Sequence, residues 1–272
     1  MDEKTDLHLL RDVNLDNFNS VMAFSGWPDA KRVATYAAEY LQDKLRAEKI
    51  GEIDSNLYNH FTIQRPLISI KNGLVKSYAP PSNELYMAKG DPSGHDLLIL
   101  IGTEPHLNWA RYVESVFEAF SLGKANRVLL FGGLIDRIPH TVEPLISGVA
   151  NAPELVEELK HNGIEPIDYL GPCSIHSLIL RDCEAKSIPA MSIWGHTPEY
   201  VTGVDPSTAH QLLCKAKALM GVEVDLEELR MEGSLFQKQL NSMMKQDREF
   251  AQLVQKLEIE YKDAKRNLDY FT

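Results

Sequence analysis

Leu97-Leu98-Ile99-Leu100-Ile101-Gly102 is the stretch on which the fold turns. Five apolar residues run without a polar interruption and stop at a glycine. A strand with one wet face alternates polar and apolar residues, whereas a strand covered on both faces reads as a continuous apolar run. Val21-Met22-Ala23-Phe24, ahead of Gly26, and Val128-Leu129-Leu130-Phe131, ahead of Gly132 and Gly133, have the same form. Ala190-Met191-Ser192-Ile193-Trp194, ahead of Gly195, is a weaker instance. Four such runs imply a sheet buried on both sides.

Helical patterns separate the runs. Residues 28–46 open with Pro28, suited to a first helical turn that has no N–H to pair, and carry Val33, Tyr36, Ala37, Tyr40 and Leu41 on one face. Residues 107–122 place Trp109, Tyr112, Val113, Val116, Phe117 and Phe120 at helical spacing and stop at Gly123. Shorter helices are expected over 153–161 and 174–184. Another runs over 206–220, capped by Asp205, opened by Pro206 and closed by Gly221. Asn72-Gly73 between two apolar runs, Leu67–Ile70 and Leu74–Tyr78, marks an antiparallel hairpin inserted early. The sum is an α/β domain over 15–221 with helices on both faces of a mixed, mostly parallel sheet.

Residues 222–272 form a helical, coiled-coil-like extension. Phe236, Leu240, Met243, Phe250, Val254, Leu257, Tyr261, Ala264 and Leu268 follow steps of four and three, with Asp247 as the one polar seam position. A single helix from 236 to 268 would be about 50 Å long. The narrow seam points to a helical partner, either another subunit in a homo-oligomer or the preceding helix at 223–232. An amphipathic helix folded onto its own domain is the plainer alternative.

The 272 residues hold 28 Lys and Arg against 39 Asp and Glu, a formal charge of −11. That balance opposes a nucleic-acid partner, which requires a basic footprint. No apolar run approaches a membrane span, and the opening MDEKTDLHLL has the wrong charge for a secretory leader. Three scattered cysteines, Cys173, Cys183 and Cys214, suggest neither disulfides nor a metal knuckle. A cytoplasmic protein without cofactor or metal is expected.

No catalytic signature occurs. Gly26 and Trp27, ahead of Pro28 and Asp29, form a strand–helix turn that could receive an anion, but Asp29 would repel one. Asp136 and Arg137, with His140 nearby, follow a buried strand and its Gly132-Gly133 end, where open α/β sheets bind ligands; an ordinary surface loop is the alternative. Cys173 and Ser174 open a helix, Ser174 as its cap, and His176, one turn inside, reads as a packed or surface histidine. His196 and Glu199 follow the last strand and suit either acid–base work or a turn.

Taken in order, Phe24-Ser25-Gly26-Trp27, then Tyr169-Leu170-Gly171-Pro172, then Trp194-Gly195-His196-Thr197-Pro198-Glu199-Tyr200 with Asp205-Pro206, resemble the proteasome assembly chaperone 2 family over about residues 18–221. The resemblance implies a three-layer α/β/α sandwich similar in fold to nucleoside phosphorylases, often with a helical C-terminal extension. It implies a non-catalytic, chaperone-like role in protein binding, linked to proteasome assembly or activation. Proteasome activators and some assembly chaperones end in a hydrophobic residue, tyrosine and any residue. This chain ends Tyr270-Phe271-Thr272, with Phe271 in the tyrosine's place, so these three are the expected contact with a proteasome-like core particle. By fold analogy the alternative is an enzyme of nucleoside phosphorylase or carboxylate-amine ligase type. It would act on a small anionic or nucleoside ligand at Gly26, Trp27, Asp136, Arg137 and His196.

Overall fold

A computed structural model describes residues 6–90 and 95–269, the last five of these by backbone alone. In chain order the first half comprises β1 (Leu7–Leu9), β2 (Asn17–Ser25), α1 (Val33–Lys44), β3 (Glu48–Ile53), β4 (Leu67–Lys71), β5 (Leu74–Ala79), β6 (Glu84–Ala88), β7 (Asp96–Thr103) and α2 (Trp109–Phe120). The second comprises β8 (Lys124–Asp136), β9 (Ile146–Ala150), α3 (Pro153–His161), β10 (Glu165–Pro166), α4 (Ile175–Ala185), β11 (Ala190–Pro198), α5 (Pro206–Met220), α6 (Glu227–Gln246) and α7 (Arg248–Asp269).

Nine strands form one mixed sheet in the order β1-β3-β6-β7-β2-β8-β11-β9-β10. The four apolar runs are its parallel centre, β7, β2, β8 and β11. Successive side chains go to opposite faces and both faces are covered. Val21, Ala23, Ile99, Leu129 and Phe131 join one core with α1, α3 and α5. Met22, Phe24, Leu98, Leu100 and Leu130 join the other with α2 and α4. At about 1.5–3 kcal/mol for each large apolar side chain fully buried, these central residues dominate the stability of a three-layer α/β/α sandwich.

Helix α1 begins at Val33 rather than near Pro28. Pro28 lies in a turn closed by Asp29 N–H donating to Gly26 O at 3.3 Å, and Asp29 makes a lone parallel bridge to Gly133 of β8, whose N–H donates to Pro28 O at 2.7 Å. A Cβ on Gly133 would lie 2.9 Å from Ala30 O, so only glycine admits this approach. Lys31 and Arg32 then take left-handed conformations, which cost about 1–3 kcal/mol each.

The hairpin β4–β5 forms as expected, with Asn72 at φ 53° and Gly73 at φ 75°, the signs a two-residue type I′ turn requires. It stands apart from the main sheet as a two-stranded arm, every residue of both strands exposed.

The continuous helix expected over 236–268 is two helices. Asp247 has extended dihedrals (φ −119°, ψ 110°). Its Oδ1 accepts from the N–H of Glu249 at 2.9 Å and of Phe250 at 3.1 Å. The polar seam residue is therefore the N-cap of α7, and local capping competes successfully with helix continuation. Helix α6 lies on the sandwich: Leu229 belongs to the first core, Gly233 O accepts from Ser207 Oγ at 3.0 Å, and Tyr36 Oη donates to Glu232 at 2.6 Å. Among the described residues no helix is long and apolar enough to cross a membrane.

Candidate functional site

The parallel strands deliver their carboxyl ends to one edge of the sandwich. Gly26 and Trp27 leave β2, Glu104 follows β7, Asp136 ends β8 and His196 lies near the end of β11. Antiparallel β9 starts there with Ile146 and Ser147. Strand order β8-β11-β9 sets three polar side chains in a row. Asp136 Oδ2 lies 2.7 Å from His196 Nδ1, and His196 Nε2 lies 2.8 Å from Ser147 Oγ. The hydrogen bond from His196 holds the Asp136 carboxyl below its ordinary range, against partial burial. A carboxylate only accepts, so Nδ1 carries a proton, and in the neutral ring Nε2 accepts the hydroxyl proton of Ser147.

Beside this row stand two aromatic rings. Trp194 faces Ser147 across the β9–β11 ladder, and its indole covers Gly132, where a Cβ would meet it at 2.3 Å. Trp27, 60% exposed, meets Trp194 edge-on at 6.3 Å. Behind Trp194 lies His176, its ring 5.1 Å away and its Nδ1 2.9 Å from Ser192 Oγ. Complete burial pushes His176 down to about 3, so it is neutral at pH 7. Glu104 accepts the N–H of Ile175 at 2.9 Å at the start of α4; its burial raises its pKa. This carboxylate occupies the place where a helix N-terminus would otherwise draw an anion.

Residues 167–173 cross the row. Ile167 N–H donates to Gly148 O on β9 at one end, and Ile175 reaches Glu104 beyond β7 at the other. Four strand spacings, about 19 Å, separate these anchors, and eight extended residues reach at most about 27 Å. The segment is a strap with about 8 Å of reach to spare. All seven of its residues are exposed and without regular structure.

The turn Gly26-Trp27-Pro28-Asp29 binds no anion through α1. Asp29 Oδ1 accepts from the N–H of Ala34 at 2.8 Å and of Thr35 at 3.1 Å, so the chain's own carboxylate fills the helix start. Burial raises the pKa of Asp29 despite these bonds. Arg137 pairs with Glu260 of α7 at 2.8 Å, so it too is engaged within the chain.

Helix α7 docks over the loops after β8 and β11. His140 stacks on Phe250 at 6.3 Å, Tyr200 meets Phe250 edge-on at 5.1 Å, and Thr141 Oγ1 donates to Glu258 at 2.6 Å. Leu240, Val254 and Leu257 are buried within the chain, Phe236, Phe250 and Tyr261 half-buried, and Met243 exposed. Between extension and core remains a pocket of about 20 Å³, lined by Ile138, His140, His196 and Phe236 among others, room for about one water. Tyr270, Phe271 and Thr272 lie outside the described residues.

Sequence reasoning singled out Asp136 and His196 and missed Ser147, Trp194 and Glu104. Ser147 is 49 residues from His196 and sits in an Ile-Ser-Gly-Val-Ala strand without a motif; only strand order brings it in. Among the described residues no group of three or more His, Cys, Asp or Glu is placed to hold a metal.

The sequence model of the PAC2 family matches residues 23–244. The chain belongs to the PAC2 family. Among solved structures, this PAC2 chain is similar to a proteasome-assembly chaperone homologue of Mycobacterium tuberculosis. The two are 26% identical with a TM-score of 0.80, over 87% of this chain and all of the other. A PAC2 family protein of Streptomyces avermitilis is also 26% identical, with a TM-score of 0.77 over 88% of this chain and all of that one. An archaeal proteasome activator of Pyrococcus furiosus, PbaB, shares the PAC2 fold at 19% identity, with a TM-score of 0.69 over 87% of this chain and 97% of its own.

Proposed function

We propose that this PAC2 protein is a chaperone-like protein-binding module that self-associates and acts on proteasome-related partners. Family membership and the likeness to a proteasome-assembly chaperone homologue support the proteasome-related role. The observation that carries the binding role is the β4–β5 arm. Leu67, Ile68, Ile70, Leu74, Val75 and Tyr78 are each 56–75% exposed on it. A lone two-stranded hairpin is marginal in water; Ile68, Tyr78, Ile70 and Val75 share one face of it and Leu67 and Leu74 lie on the other, and exposed apolar surface of this kind marks a protein contact.

Charge favours a second copy as the occupant. Residues 55–83 contain Arg65, Lys71 and Lys76 and no Asp or Glu, so this segment carries +3 and leaves −14 on the rest of the −11 chain. A basic apolar arm complements an acidic body of the same protein. The seam residues of the extension are largely occupied within the chain, so the arm is the better candidate for the homo-oligomer contact. Tyr270, Phe271 and Thr272 are the docking tail for the core particle.

Two experiments test this. Replacing Leu67, Ile68, Leu74 and Val75 by Thr should convert the oligomer to a 30.7 kDa monomer in sedimentation velocity; an unchanged stoichiometry removes the arm from the account. Deleting 270–272 should abolish co-sedimentation with a cognate peptidase core particle. Equal binding by the truncated chain rejects the tail.

The alternative of an enzyme for an anionic or nucleoside ligand draws no support from the comparisons. The site opposes it too: Glu104 and Asp136 are acidic and Arg137 is paired.

A further inference from the structure

We propose that Ser147, His196 and Asp136 form a nucleophilic centre that transfers acyl groups from uncharged, apolar esters, an activity beyond protein binding. The geometry is that of an activated serine: a hydroxyl 2.8 Å from Nε2 of a histidine whose Nδ1 is held by a carboxylate at 2.7 Å. The buried histidines elsewhere lack this arrangement. His176 meets only Ser192, with no carboxylate on its other nitrogen, and His140 meets a tyrosine.

The surroundings select the acyl group. Ser147 and Trp194 are cross-strand neighbours on one face of the ladder, and Trp27 extends the aromatic wall outward. Of the strap above, Ile167 is the least exposed apolar side chain, at 39%, while those of Tyr169 and Leu170 face solvent. Glu104 and Asp136 repel carboxylates and phosphates, and the neighbouring guanidinium of Arg137 is held by Glu260. An ester with an aliphatic or aromatic acyl chain fits this lining, and a charged one does not.

Ser147 is 1% exposed, so the strap 167–173 must lift for substrate to enter. It is suited to do so. Its seven exposed residues form neither helix nor strand, the kind of segment that opens at low free-energy cost. Tyr169 Oη bonds within the strap itself, to Pro172 O at 2.8 Å, rather than down to the sheet.

In the reaction Ser147 Oγ bonds to the acyl carbon as its proton passes to His196 Nε2. The carbon–oxygen bond to the alcohol breaks, and the departing oxygen takes that proton. Water then attacks the acyl-serine and gives a proton to His196. The acyl carbon–Oγ bond breaks and the proton returns to Ser147. Ser147 and His196 are the catalytic residues; Asp136 is a positioning residue that fixes the imidazole.

The test incubates the full chain with a fluorophosphonate probe and maps the adduct by peptide mass spectrometry. The expected result is phosphonylation of Ser147, lost in Ser147→Ala and slowed at least about 100-fold in His196→Gln and Asp136→Asn, with p-nitrophenyl butyrate hydrolysis falling in parallel. The pH profile of labelling should be displaced in Asp136→Asn, which a purely structural carboxylate would not cause. The proposal is overturned if folded wild-type protein carries no adduct on Ser147, or if the His196 and Asp136 variants label at the wild-type rate. Adduct mapping on the wild type requires no variant to fold, and either result leaves the oligomer and core-particle tests untouched.

Discussion

Acidification from pH 7 to pH 5 should destabilise the protein through His176, by an amount the structure sets. His176 is fully buried between Phe24 and Trp194, and burial lowers its pKa to about 3. In the unfolded chain a histidine titrates near about 6.5. The folded state therefore binds fewer protons between these values. Stability is fully present above the unfolded value and is lost as pH falls through the window. At pH 5, about 1.5 pH units into it, the loss is about 2 kcal/mol. The assay is urea unfolding at pH 7 and pH 5 for wild type and His176→Gln, which keeps a hydrogen bond within reach of Ser192 and does not titrate. Other groups act as well: His140 and His210 are lowered by burial, and Asp29 and Glu104 are raised with the opposite pH sense. They are common to both proteins and cancel in the difference. Equal losses in wild type and variant would refute a neutral, buried His176.

Three further outcomes follow from the packing. Leu257→Ala should cost about 2–5 kcal/mol in chemical unfolding, because its side chain, on α7, is fully buried; a loss within error would mean that α7 does not dock. Asp247→Ala should cost about 1 kcal/mol by removing the N-cap of α7, and an unchanged melting temperature would count against the helix break. Gly132→Ala should destabilise by about 1–3 kcal/mol through overpacking and shift the tryptophan emission, since the new Cβ meets Trp194 at 2.3 Å; an unperturbed spectrum would contradict that contact.

The central strands were legible because burial on both faces leaves an unbroken apolar run, as at Leu97–Ile101. The outer strands were not. Glu48–Ile53 mixes charged residues with a glycine, and Glu165–Pro166 has only two residues; such outer strands are defined by their neighbours, not by a pattern of their own. The helix ends at Asp205, Ser174 and Gly221 were readable from capping chemistry. The start of α1 was not, because Pro28 suits the turn that brings Asp29 beside Gly133 as well as a first helical turn. The seam through 236–268 keeps its four-and-three steps across Asp247, yet each half packs within the chain. Spacing reports which side of a helix is apolar and not what covers it. At the strand ends, His196 and Asp136 stood out because each follows a buried run and a glycine. Ser147 joins them only through the placement of β9 beside β11, a fact of topology that no local pattern encodes.

The most direct measurement of the account is the binding isotherm of the full chain on a purified, cognate peptidase core particle, read by co-sedimentation. The account predicts saturable binding at a defined ratio of chain to particle, abolished by deletion of residues 270–272. Absence of binding across the titration, by a protein shown to be folded, would contradict it.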